Sequence, residues 1–147
     1  MWFSVIPLDK IIQDLRIIDV WNDRYQYIIE LGKKLPPLPK EKLTQDNKVV
    51  GCTSAIWLIS HIENEEQDPK MFLEGFSDSH IVRGLLYIMI SIYSGKTIRQ
   101  IEKINAIQSF KEIGLIDHLS PQRANGLHVI MGEIRKKATL SHRIRSS

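Results

Sequence analysis

Residues 81–93 read IVRGLLYIMISIY, and this stretch constrains the fold more than any other. Ile81, Val82, Leu85, Leu86, Ile88, Met89, Ile90, Ile92 and Tyr93 fall on most sides of an α-helix. A helix that is apolar nearly all round has to be buried, so the rest of the chain must supply the layers that cover it. Its apolar run, residues 85–93, is far shorter than the ~18 residues a membrane span needs. The spacing therefore predicts a central core helix, opened by Ser77-Asp78, running to about Ser94 and ended by Gly95. With 43% hydrophobic and 25% charged residues, a chain of 147 residues can bury such a core as one domain, residues 1–147.

The covering layers can be read on both sides of this helix. A first helix is expected over Leu8 to Ile17, with Leu8, Ile11, Ile12 and Leu15 on one face, and a second through Trp21, Tyr25, Ile28 and Leu31, capped by Asp19 and stopped by Gly32. The two read as an α-hairpin. Residues 33–39, KKLPPLP, cannot continue a helix, because three prolines lack amide donors and hold their predecessors extended; a stiff connector packed on the domain follows. Residues 54–62 and 70–76 have strand composition and flank a polar turn, giving an antiparallel hairpin, with Val49-Val50 as a third short strand. Trp57 and Ile59 on one side of the first strand, and Ile56 and Leu58 on the other, predict cover on both faces. After the core helix, Thr97 with Gln100 forms a capping box, Gly114 closes a helix after Phe110 and Ile113, and Ser120-Pro121 opens the last one, striped by Ala124, Leu127, Ile130 or Met131, and Ile134. The fold class is α+β, a small three-stranded antiparallel sheet packed against helices from both ends of the chain.

Chemistry has one obvious seat. The only cysteine, Cys52, follows Gly51 and precedes Thr53-Ser54 at the mouth of the first strand. Gly51 gives the backbone freedom for a sharp turn, so the thiol can sit at a turn tip within reach of a partner. Its small polar neighbours leave two fates open, a reachable thiol or a buried structural one.

Other chemistries find little support. A single cysteine excludes an internal disulfide framework and a zinc site of paired cysteines, and fits a reducing compartment, the cytoplasm by default. His61, His80, His118, His128 and His142 lack ligand spacing, so no metal is expected. Gly95-Lys96-Thr97 resembles the end of a phosphate-binding loop, but Ile90 stands where its first glycine belongs. The apolar start, residues 1–8, has no basic flank and is cut short by Asp9, so it is not a signal peptide. The net charge of +3 and pI near 9.0 come from the tail: residues 133–147 carry net +4 and leave the rest at −1. Arg135, Lys136, Lys137, Arg143 and Arg145 read as a solvated, frayed helix end; neither nucleic acid nor a membrane is an expected partner.

Four blocks in order carry a family resemblance: residues 24–36 (RYQYIIELGKKLP), residues 47–58 (NKVVGCTSAIWL), Ser77-Asp78 with residues 81–85 (IVRGL), and residues 118–123 (HLSPQR) with Gly126-Leu127. The chain resembles the SufE/CsdE family of sulfur-acceptor proteins over nearly its whole length. That resemblance implies that Cys52 accepts sulfur from the persulfide of a PLP-dependent cysteine desulfurase of SufS or CsdA type. It stimulates that enzyme, and passes the sulfur to an iron-sulfur scaffold or another acceptor. Gly51, Ser54, Asp78 and Arg123 are the supporting residues it points to, Arg123 as polar or electrostatic help or as an ordinary helix-start residue. No cofactor is expected on this chain, since PLP belongs to the desulfurase. One departure stands out: family members usually carry an acidic residue where this chain has Phe76, so acidity at that loop rests on Asp78. Sulfur exchange needs one accessible thiolate and no metal, which agrees with the residues themselves. A thiol-based redox protein using Cys52 is the alternative from another class, and needs a resolving thiol from a second chain. An interaction module in which Cys52 is a bystander is the third.

Overall fold

The computed structural model describes residues 5–63 and 68–146, the last five of these by backbone alone. Along the chain come α1 (Leu8–Ile17), α2 (Trp21–Gly32), β1 (Ile56–Glu63), β2 (Lys70–Ser77), α3 (His80–Tyr93), β3 (Lys96–Thr97), α4 (Ile98–Lys103), α5 (Ala106–Ile113) and α6 (Pro121–Ser146). The architecture is α+β, with an antiparallel sheet in the order β1-β2-β3.

The core helix is where its composition demands. Every residue of α3 from 84 to 93 is buried, as are Ile81 and Val82. Polar atoms this deep are matched. Tyr87 Oη accepts from the Ile6 amide at 2.8 Å, and Tyr93 Oη donates to the Ile104 carbonyl at 3.0 Å. The helix starts later than expected. Ser79 is its cap, its Oγ accepting from the Val82 amide, while Ser77 is the last residue of β2 and Asp78 lies in the connection. The Ser77 hydroxyl instead ties the end of β2 to the loop before β1, donating to the Ala55 carbonyl at 2.8 Å and accepting from the Ser79 amide at 3.3 Å.

α2 crosses α3 at very short range. A Cβ on Gly84 would overlap the Ile28 carbonyl oxygen, and one on Gly32 would stand 2.6 Å from the Gly84 nitrogen. Gly32 therefore serves close approach: it is the last helical residue, with Lys33 after it in ordinary αR geometry, and takes no left-handed cap. At the other end Val20, not Asp19, holds the cap position, and its carbonyl accepts from the amides of Asp23 and Arg24. Arg24 Nε donates to the Ile18 carbonyl at 2.7 Å and fixes that link. Leu35 and Leu38 are buried, so the proline-rich connector packs on the domain.

The sheet has one core face, with Ile56, Leu58, Met71, Leu73 and Ser77 buried. Its other face is half-buried and carries Trp57, Ile59, Phe72, Glu74 and Phe76, so the cover expected on both faces near the middle of the first strand is only partial on this side. Lys48 Nζ lies 5.9 Å from the Trp57 ring centroid and the Arg83 guanidinium 4.3 Å from that of Phe76. The third strand is Lys96–Thr97, not Val49-Val50. The Gly95 amide donates to the Met71 carbonyl and Ser94 Oγ accepts from the Leu73 amide, which turns the chain back along β2. Part of the polar turn between β1 and β2 lies outside the described residues.

Local signals near the C-terminus hold. The Thr97–Gln100 capping box, the left-handed Gly114 at φ 82° and the Ser120 cap of α6 are all present. Arg135 departs from the expected solvated face: one of its terminal nitrogens donates to the Ile104 carbonyl at 2.6 Å, tying α6 to the link between α4 and α5. The side chains of Arg143 and Arg145 lie outside the described residues.

Candidate functional site: a thiol loop seated on the last helix

Cys52 belongs to a segment, residues 50–54, held at both ends and free of sheet pairing between them. On the N-terminal side the buried Val49 donates its amide to the Ile56 carbonyl at 2.8 Å, and the Asn47 carbonyl accepts from the Leu58 amide at 2.9 Å. On the C-terminal side the Ala55 carbonyl accepts from Ser77 Oγ at 2.8 Å and from the Asp78 amide at 3.4 Å. Gly51 makes the turn at φ 102°, where a side chain would be strained. Val50 beside it is 80% exposed, while Cys52 is half-buried.

The loop folds onto α6. A Cβ on Gly51 would stand 3.7 Å from both methyls of Val129, and a Cβ on Gly126 would stand 3.9 Å from Cys52 Sγ. Beside the thiol opens a cavity of about 370 Å³. Its apolar wall comes from Ile56 of β1, Val82 and Leu85 of α3, and Leu127 and Ile130 of α6. Ser120, Gln122 and Arg123, at the start of α6, and Thr53 and Ser54 of the loop supply the polar part.

This setting fixes the chemistry of the thiol at rest. Burial pushes Cys52 above the ordinary thiol pKa, so ionising it in place is costly. The Arg123 amide donates to Ser120 Oγ at 3.3 Å, and both residues line the cavity. A sheltered, protonated thiol is a poor nucleophile until it is moved or ionised.

Of the residues singled out in the sequence, Cys52, Ser54 and Arg123 line one cavity and Gly51 shapes the loop above it. Asp78 stands apart from the cavity lining. It is exposed, and reaches the loop through its backbone bond to Ala55. Phe76 pairs across the sheet with Trp57, under the Arg83 guanidinium, and Arg83 Nε also donates to the Ser77 carbonyl at 2.9 Å. Sequence reasoning missed Ser77 as the loop's anchor and Val129 and Gly126 as its seat. Only the helical spacing of Gly126, Val129 and Ile130 hinted that these three share a face.

Comparison with known proteins places the chain in a family. The family model described as "SufE: Fe-S metabolism associated domain" matches residues 9–138. An uncharacterised SufE-like protein of Rhizobium meliloti (strain 1021) is 50% identical over 131 residues, covering 89% of this chain and 94% of the relative. A second, from Rhizobium etli, is 49% identical over 131 residues, covering 89% of this chain and 88% of the relative. The solution structure of a hypothetical protein from Thermus thermophilus shares the fold, with a TM-score of 0.70 at 17% identity over 95% of this chain and 99% of that one. With the family match spanning nearly the whole molecule and half the aligned positions identical in relatives of similar length, this chain belongs to the SufE family, whose domain is associated with iron-sulfur metabolism.

Proposed function

We propose that this protein is a sulfur acceptor for iron-sulfur cluster assembly. Cys52 takes the terminal sulfur from the persulfide of a PLP-dependent cysteine desulfurase, of SufS or CsdA type, and hands it to a scaffold or another acceptor. The Cys52 thiolate attacks the outer sulfur of the partner's persulfide, and a new S–S bond forms as the old one breaks. The desulfurase cysteine leaves as thiolate, and Cys52 carries the persulfide. The proton that Cys52 gives up balances the one the leaving thiolate can take, so no external oxidant or reductant enters. By regenerating the desulfurase cysteine, the acceptor stimulates turnover. PLP stays with the partner, and the persulfide calls for a reducing compartment such as the cytoplasm.

The observation that carries this reading is the placement of the chain's single thiol, half-buried, on a glycine-turned loop beside a cavity with an apolar wall, where burial raises its pKa. Such a thiol is quiet at rest, which suits an acceptor whose persulfide must not be lost to free thiols. Docking then has to bring it outward, where Arg123 and the first turn of α6 are the nearby positive features. The helix terminus alone contributes ~0.3–1 kcal/mol, less than one pKa unit. A redox role has no resolving cysteine within the chain.

Incubation with a cysteine desulfurase and free cysteine, followed by intact mass measurement, tests the reading. Wild-type protein should gain one sulfur atom and accelerate cysteine turnover, and Cys52→Ser should do neither. Equal stimulation by the serine variant would remove Cys52 from the reaction.

A further inference from the structure

We propose that Gly126 is the positioning residue that seats the acceptor thiol through its small size: with no branched or long side chain at this point Cys52 settles onto α6, and a larger side chain there unseats it. The inference rests on the reading of Cys52 as acceptor and goes beyond it by naming what holds the resting state.

Three observations converge on Gly126. A Cβ there would meet Cys52 Sγ at 3.9 Å, the nearest atom to it outside its own helical turn. Gly126 also lines the cavity beside the thiol, so the space next to the sulfur continues along the helix surface at this residue. Finally, Gly126 lies in the interior of α6, a helix that runs Pro121–Ser146. Glycine there costs about 0.5–1 kcal/mol relative to alanine, so a local rule is broken where the helix meets the loop. Gly132 in the same helix supplies the contrast, since a Cβ added there meets nothing within 4 Å among the described residues.

The consequence is graded by size. An alanine methyl at 3.9 Å from Sγ is an ordinary van der Waals contact and leaves the thiol in place. Valine or leucine adds carbons beyond that contact, in the space beside the sulfur that the cavity opens. Gly51 allows the loop to yield, and its neighbour Val50 already faces solvent. Unseating returns the thiol to water and removes the burial that keeps it protonated.

The experiment measures alkylation of Cys52 by iodoacetamide across pH in the full chain. It compares Gly126→Ala, Gly126→Val and Gly126→Leu with Gly132→Ala and Gly132→Leu, alongside thermal melts. Expected are rates within about twofold of wild type for both alanine variants, and an acceleration for Gly126→Leu of about tenfold at neutral pH per unit by which the thiol pKa returns toward its ordinary value. The midpoint of its pH profile should fall as well, with Gly126→Val in between and Gly132→Leu at wild type. A leucine variant too unstable to study leaves the decision to Gly126→Val against Gly126→Ala. Equal rates and equal midpoints in the Gly126 and Gly132 series overturn the proposal. The readout needs no desulfurase, so an unseated thiol in a protein whose wild type never gains sulfur would keep the seat and sink the acceptor reading; an unchanged thiol in a protein that gains sulfur normally would do the reverse.

Discussion

Ser77→Ala tests whether the loop is held through its C-terminal end. Ser77 is fully buried, its Oγ donates to the Ala55 carbonyl at 2.8 Å, and the same oxygen accepts from the Ser79 amide at 3.3 Å. Removing the hydroxyl does not orphan Ala55, whose carbonyl keeps a longer bond from the Asp78 amide at 3.4 Å. The expected loss is therefore near the net value of one good hydrogen bond plus a weak one, about 1–2 kcal/mol, and not the full penalty of an unsatisfied buried carbonyl. For a chain of this size that is a fall in Tm of about 3–6 °C. The part of that energy felt by the loop alone, about 1 kcal/mol, raises the population of its outward form about fivefold, and Cys52 alkylation should rise to match. Differential scanning fluorimetry and timed alkylation read the two effects separately. A lowered Tm with unchanged alkylation would show that the Ala55 clamp belongs to the sheet and does not restrain the thiol. No change in either would refute the hydrogen-bond reasoning.

The other predictions concern the frame, the docking side and pH. Gly84→Ala drives a methyl into the Ile28 carbonyl oxygen, so α2 must move off α3; we expect a loss of about 3 kcal/mol or more, and an unchanged melting curve would contradict the close crossing. Asp78→Arg should leave Tm within a few degrees, since the side chain is exposed, yet alter desulfurase affinity or the alkylation rate; wild-type values of both would reduce Asp78 to an ordinary loop residue. Because burial raises the Cys52 pKa, alkylation of the folded protein should keep accelerating above the ~8.5 at which a free thiol half-ionises. The same shift means that its stability contribution is complete below the unfolded thiol pKa and is lost as pH rises through the folded one, a component that Cys52→Ser should abolish.

What the sequence made legible was local or uniform. The apolar circumference of α3 could mean only burial, and Thr97–Gln100, Gly114 and Ser120 each act within one helical turn. What it hid was decided by partners distant in the chain. Ser77 and Ser79 are both plausible caps, and the choice falls to Ser79 because Ser77 is still strand, paired with Ile56 and bonded to Ala55, 22 residues before it. Lys96–Thr97 becomes a strand only because Met71 and Leu73 bond the preceding Gly95 and Ser94. Gly32 looks like a helix stop, and only its contact with Gly84 shows that it is a crossing point. At the site, the turn at Gly51 was readable, but the two fates left open for Cys52 meet in a half-buried thiol on a loop. The depth of that seat depends on α6, far along the chain.

A quiet thiol and a usable acceptor set opposite limits on that depth. If the outward loop is populated at about 1% at rest, a partner that binds only this form loses about 2.7 kcal/mol of affinity, and every further tenfold of concealment removes about 1.4 kcal/mol more. A seat worth many kcal/mol would therefore protect a persulfide well and accept sulfur badly. The restraints on the thiol itself come from the seating of the loop on α6, with Sγ beside Gly126 and Gly51 beside Val129, where individual dispersion contacts are small. They are also separable from the core. Ile56, Leu85 and Leu127 belong to the buried core, and residues 50–54 are anchored on both sides by bonds made outside the segment. A loop so held can move without unfolding the sheet, and a partner that contacts the exposed Val50 and draws the thiol out needs to overcome only this small sum.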